Sequence, residues 1–145
     1  MSNSDRADRP WVLVVDDDRG IRDAVLSALS DVGITGLGAP DGSVALSACQ
    51  RNDPDVVILD LAMPGLDGAG FADAYRRMPD SHARIIVMSA ADRGSETAAR
   101  MRADAFFSKP FEINNLVVLA ERFLRESSVR RGPIEQIARQ LAAEG

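Results

Sequence analysis

Five polar positions in this chain each stand where an apolar run gives out: Asp16 and Asp17, Asp60, Ser89 and Lys109. Taken singly, an acid in such a place is usually a solvated turn residue or a helix cap, and a lone lysine or serine is a surface charge or a cap. Gathered at one edge, they have a definite chemistry. Three carboxylates within a few ångströms repel one another, so they must protonate or recruit a cation. Hard oxygen donors with no histidine among them favour Mg²⁺, which keeps several of its waters. Mg²⁺ bridges carboxylate and phosphate oxygens, and a carboxylate can act as a nucleophile, giving an aspartyl phosphate. Lys109 would then supply a mobile point charge to the phosphoryl oxygens, and Ser89 a hydroxyl donor.

The elements that must position these groups follow from the apolar pattern. Val56-Val-Ile-Leu59 runs straight into Asp60, and Pro64, Gly65 and Gly68 then turn the chain. A continuous apolar run bounded by turn signals reads as a strand buried on both faces. Trp11-Val-Leu-Val-Val15 is a second such run, ending in Asp16-Asp17-Asp18. Ile34–Ala39 is a glycine-weakened edge strand, Arg84–Ser89 the fourth strand and Ala105–Ser108 the fifth, with Lys109-Pro110 at its end. Helical spacing predicts Arg19–Val32 as the first helix, with Asp18 as N-cap and Gly33 at the position after its end. A second helix starts from Asp41 or Ser43 and carries Val44, Ala45, Ala48 and Cys49 inward. A third carries Phe71, Ala74, Tyr75 and Met78, and Pro79 stops it. Glu96–Arg102 and Ile113–Glu126 are the fourth and fifth.

Five strands alternating with five helices specify an α/β fold with a parallel sheet and helices on both faces. Right-handed crossovers favour the flavodoxin-like, doubly wound order 2-1-3-4-5. In that order strands one and three lie side by side, and ligands bind at the carboxyl edge where the order reverses.

The 145 residues make one domain with an appendage, large enough to bury about 68–70% of its unfolded surface without staples. Residues 1–9 are polar and expected to be disordered, residues 10–126 form the domain, and residues 127–145 are a linker and a short amphipathic helix. In that helix Pro133 suits the first turn, and Ile134, Ile137, Ala138 and Leu141 form one stripe. So short a helix is marginal alone and must dock on the domain or on a second chain, unless it is the stub of an output region. The single cysteine, Cys49, fits a reducing, cytoplasmic setting. The N-terminus has no signal-peptide core, and no apolar run approaches the ~18 residues of a membrane span. A net charge of −5 argues against non-specific nucleic-acid binding.

Val-Val-Asp16-Asp17-Asp, Asp60-Leu-Ala-Met-Pro-Gly-Leu-Asp-Gly, Met-Ser89-Ala and Lys109-Pro-Phe stand in an order and spacing that closely resemble the receiver domain of bacterial two-component response regulators, over about residues 10–126. The resemblance implies a phosphorelay switch that is not an enzyme beyond phosphorylating and dephosphorylating itself. By it, Asp60 accepts a phosphoryl group from a histidine kinase or phosphotransfer protein. Asp16 and Asp17 organise Mg²⁺, with Asp17, Asp60 and the backbone carbonyl of Ala62 as direct ligands. Ser89 reorients toward the phosphoryl group, Phe106 follows as the switch aromatic, and Lys109 pairs with the acyl phosphate beside a cis bond to Pro110.

The chain also departs from the family. Arg102 stands where a glycine commonly closes the fourth helix, so that turn must take another or a strained geometry. Phe106 lacks the hydroxyl of the tyrosine often found there. Leu119 replaces an arginine common on one subfamily's dimer face. Val117, Val118, Leu119 and Leu124 lie beyond the stripe Ile113, Leu116, Ala120 and Phe123, which suggests an exposed patch. Helix four, strand five and helix five would then be an output face, possible homodimer contact included. An aspartate-nucleophile phosphohydrolase is the rival reading, but Ala62 stands where its general acid would be. No Gly-rich phosphate loop supports nucleotide binding.

Overall fold

Strands buried on both faces need helices above and below, and the chain supplies them alternately. The computed structural model describes residues 9–61, 68–90 and 94–127. Strands β1 (Trp11–Val15), β2 (Thr35–Ala39), β3 (Val56–Asp60), β4 (Arg84–Ala90) and β5 (Ala105–Lys109) are interleaved with helices α1 (Arg19–Asp31), α2 (Gly42–Arg51), α3 (Gly68–Arg76), α4 (Gly94–Arg100) and α5 (113–127). The sheet is parallel throughout, in the order 2-1-3-4-5 that the sequence predicted.

Alternation along each strand divides the core in two. Trp11, Leu13, Val15, Val57, Leu59, Ile85 and Val87 pack under α2, α3 and α4. Val12, Val14, Val56, Ile58, Ile86 and Met88 pack under α1 and α5. Every residue of β1 and β3 is buried, which is why both read as unbroken apolar runs.

Helix ends follow local chemistry. The Asp18 carboxylate accepts from the Ile21 amide and the Asp41 carboxylate from the Val44 amide, satisfying donors that a first turn leaves open. After α1, Gly33 takes φ +80° while its amide bonds to Ser30 and that of Ile34 to Leu29. Arg102 makes the same closure after α4. Its φ is +56°, its amide bonds to Ala99, and the Ala103 amide reaches Ala98. The missing glycine is thus met by an arginine held in the left-handed region, at the steric cost that region carries for a residue with a Cβ.

Several expected details differ. Val44 is exposed, because the inward face of α2 is the narrow pair Ala45 and Cys49, with Ala48 half-buried. Helix α3 ends at Arg76, short of Met78, and α4 runs two residues earlier than expected at each end. On α5, Val117 and Leu124 are buried with Leu116, Ala120 and Phe123, a broad stripe that covers the sheet, and Leu119 packs against its edge. Only Val118, 63% exposed, remains of the apolar patch expected beyond that stripe. Ser127 belongs to α5 rather than to a linker. The expectations for residues 1–8 and 128–145, and for Ala62, Pro64 and Gly65, lie outside the described residues.

Candidate functional site

The carboxyl edge of the sheet collects the polar strand ends. Val15 of β1 pairs with Leu59 of β3, so Asp16 and Asp60 emerge at the same level. Asp16 is fully buried and held on three sides. Its amide donates to Ala39 O (3.1 Å), its carboxylate accepts from the Asp18 amide (2.9 Å), and its carbonyl accepts from the Arg22 guanidinium (2.8 Å). Asp60 is buried and Asp17 exposed, and one carboxylate oxygen from each of the three lies within 4.8 Å of the others. The Lys109 ammonium stands 3.4 Å from Asp16 Oδ2 and 3.7 Å from Asp60 Oδ2.

Ser89 is buried on β4, one step past Met88, the register partner of Asp60, and it pairs with Ser108 of β5. Phe106 pairs with Val87 and is half-buried against the core under α2, α3 and α4. The Lys109–Pro110 peptide is cis, as expected. The structure thus brings Asp16, Asp17, Asp60 and Lys109 together and sets Ser89 and Phe106 on the two adjoining strands, while Ala62 falls outside the described residues. Gly68 has a role the sequence reading missed. It is no turn residue: it opens α3 so close to β3 that a Cβ would stand 2.5 Å from Asp60 O and 2.7 Å from Leu61 Cα.

Chemically, three oxygen-donor carboxylates without histidine suit a small hard dication such as Mg²⁺. A buried carboxylate beside an ammonium suits the acceptance of an anionic group, whose charge the ammonium can meet.

The opposite edge holds a polar network that sequence reasoning did not find. The ring nitrogens of His82 face Asp53 and Asp55, with Nε2 at 3.2 Å from Asp55 Oδ1. Asp55 also accepts from the Trp11 amide (3.0 Å) and the Ser127 hydroxyl (3.0 Å). The Tyr75 hydroxyl donates to Asp53 (2.8 Å) and accepts from the Ala83 amide (2.8 Å). Burial pushes the Tyr75 phenol far above its ordinary value, and Asp53 adds to the rise. The only sequence signal was two acids flanking Pro54 at a strand start, together with the chain's single histidine and single tyrosine.

The family model of the response regulator receiver domain matches residues 12–121. The chain belongs to that family. Receiver domains are phosphorelay switches, they generally bind Mg²⁺ at an acidic pocket, and phosphorylation on aspartate is general among them. Among curated relatives, response regulator MprA of Mycobacterium sp. (strain KMS) is 38% identical over 84% of this chain and 54% of its own length. The transcriptional regulatory protein PrrA of Mycobacterium bovis is 36% identical over 85% of this chain and 52% of its own. The chain therefore spans about half the length of the curated relatives it matches. Among solved structures, the receiver domain of NtrX from Brucella abortus superimposes with a TM-score of 0.70 at 36% identity, over 79% of this chain and 98% of that one. The Francisella response regulator 1452 receiver domain gives 0.75 at 29% identity, over 82% and 99%. As a receiver domain, this chain is a signalling switch, and its structure gathers Asp16, Asp17 and Asp60 into one acidic cluster.

Proposed function

We propose that Asp60 is the phosphoacceptor of this receiver domain and that a histidine kinase or phosphotransfer protein is its donor. The observation that carries this reading is the cluster itself: Asp16, Asp17 and Asp60 within 4.8 Å of one another, with the Lys109 ammonium 3.7 Å from Asp60. Asp17, Asp60 and the Ala62 carbonyl would hold Mg²⁺, with Asp16 organising it. Bound there, Mg²⁺ offsets the carboxylate repulsion and neutralises charge on the phosphoryl oxygens. An Asp60 oxygen forms the new P–O bond as the P–N bond to the donor histidine breaks and that imidazole leaves. Lys109, already at the carboxylates, meets the incoming negative charge, and Ser89 offers a hydroxyl from the neighbouring strand. Phe106, packed like Met101 and Ala103 against the core under α2, α3 and α4, lies on the strand next to Ser89, where a change at that serine would be felt.

The output surface of this reading is α4, β5 and α5, with self-association one use of it and a downstream partner another. Exposed Val118 and half-buried Phe106 support it. Phosphorylation would bias an existing equilibrium between conformations rather than create a new one. The domain runs from residue 10 to the end of α5 at Ser127, acts in the cytoplasm, and turns over no substrate beyond its own phosphoryl group. No helix among the described residues is long and apolar enough to cross a membrane.

Incubation with phosphoramidate and Mg²⁺ is expected to raise the mass of the chain by one phosphoryl group, labile to hydroxylamine, and Asp60→Asn should abolish the gain. Labelling of Asp60→Asn at the wild-type level would overturn the assignment.

A further inference from the structure

The edge of the sheet remote from the carboxylates carries a cleft of about 580 Å³ between β2 and α2. Its walls are Trp11, Thr35, Leu37 and Ala48, with Arg9 and Arg51 on its rim. Two features mark it as a surface waiting for a cover. Leu37 projects from the edge strand with 56% of its surface exposed. Trp11 is only 5% exposed, yet its indole Nε1 has no hydrogen-bond partner among the described residues. A buried donor left unpaired costs about 1–3 kcal/mol, so such groups are normally satisfied.

The chain delivers a candidate to this place. Helix α5 ends at Ser127, whose hydroxyl bonds to Asp55, and Asp55 in turn holds the Trp11 amide. Residues 128–145 therefore depart from within two hydrogen bonds of the residue that forms the back of the cleft. The spacer Ser128-Val-Arg-Arg-Gly132 can span roughly 17 Å when extended. Beyond it, Pro133 opens a segment in which Ile134, Ile137, Ala138 and Leu141 share one helical face. At about 100° per residue, Glu135 and Glu144 flank that face on its two sides, acids to set against the two rim arginines. A helix this short does not hold alone and needs an apolar surface to fold against.

We infer that residues 133–144 dock as an amphipathic helix in the Trp11–Leu37–Ala48 cleft of the same chain, and that a polar group of the segment accepts the Trp11 indole N–H. The docked segment caps the sheet at the end away from Asp60 and leaves the carboxylate edge and the face of α4, β5 and α5 free. This inference does not depend on which aspartate is phosphorylated.

The test uses the full chain, isotope-labelled for NMR. With one tryptophan in the sequence, a single indole N–H resonance reports on the cleft. Ile137→Asp combined with Leu141→Asp is expected to shift that resonance and the amides of Thr35, Leu37 and Ala48, and to speed indole N–H exchange about tenfold or more. The amides of β3 should stay in place as the control for folding. Leu37→Glu, at an exposed position, should produce the complementary shifts at Ile137 and Leu141. The inference is overturned if either variant leaves the other partner's resonances unmoved. It is equally overturned if the differences vanish on dilution, since the cleft would then be covered by a second copy.

Discussion

Replacing Lys109 with methionine should make the metal-free domain less stable and a better ligand for Mg²⁺. Methionine keeps the unbranched stem and removes the ammonium, which now lies 3.4 Å from Asp16 and 3.7 Å from Asp60. At an effective dielectric of about 20, each of those contacts is worth roughly 4–5 kcal/mol, while each pair of carboxylates up to 4.8 Å apart repels by at least about 3 kcal/mol. The attraction of the ammonium is thus of the same size as the repulsion it offsets. Lys109 is 25% exposed and Asp17 is open to solvent, so water takes back much of both terms. A net loss of about 2 kcal/mol is expected, because the buried carboxylates of Asp16 and Asp60 lose their counter-charge. For a urea slope of about 2 kcal/mol/M this is a midpoint lower by about 1 M. With excess Mg²⁺ the gap should narrow, and the variant's Mg²⁺ affinity should exceed the wild type's by about tenfold. Urea melts followed by circular dichroism, with and without Mg²⁺, measure the first quantity, and calorimetry the second. A metal-free Lys109→Met chain as stable as wild type would refute the reasoning, since the ammonium would then not be offsetting the carboxylates.

Four further outcomes can be checked on single variants, by titration or with thiol reagents. Gly68→Ala should destabilise by about 1–3 kcal/mol, because its Cβ would be driven into the backbone at Asp60 and Leu61; urea melts that match wild type would show that α3 can move away freely. Arg102→Gly should stabilise by about 0.5–1 kcal/mol by relieving the left-handed strain, a gain read directly from the thermal midpoint. Tyr75 has its phenol raised well above the ordinary 10.0 by burial, so the stability linked to it is complete below pH 10 and is lost as pH climbs beyond. Phenolate absorbance should accordingly appear only as the fold melts. The Cys49 thiol, pushed up to about 12 by burial and then by Asp53, should resist thiol reagents at neutral pH until urea exposes it.

The sequence made some of these features readable and hid others for physical reasons. β1 and β3 could be read because burial on both faces forces unbroken apolar runs, and the first polar residue after such a run must lie at the sheet edge. Asp16 and Asp60 were therefore legible as edge residues from the sequence. Arg102 was picked out by the family resemblance, which puts a glycine at that helix end, and the backbone there shows φ +56°. The width of the buried stripe on α5 was not visible, because it depends on how the helix lies across the sheet; Val117 and Leu124 turned inward as a result. Gly68 looked like a turn residue because a close approach of backbone to backbone leaves no mark except the glycine itself. The network around His82 was hidden more deeply. Its partners lie 27 and 72 residues apart in the chain, and none of them follows a periodic pattern.

That hidden network bears on the site at the other edge through strand register. Asp55 accepts the Trp11 amide on its carboxylate and donates its own amide to the Trp11 carbonyl at 3.0 Å, so β1 and β3 are clamped where both begin. Both strands then run five residues, wholly buried, and the residues that follow or finish them are Asp16 and Asp60. Because side chains alternate with a period of two, a slip of one residue between these strands would turn every apolar side chain to the wrong face. The floor clamp and the two cores therefore allow a single register, and that register is the one that puts the two carboxylates level. Lys109 reaches them from β5 because β4 carries the same register across, with Asp60 opposite Met88 and Ala90 opposite Lys109. The carboxylate cluster is thus held by pairing that begins at the far end of the sheet, and the loops at the edge need only leave it room.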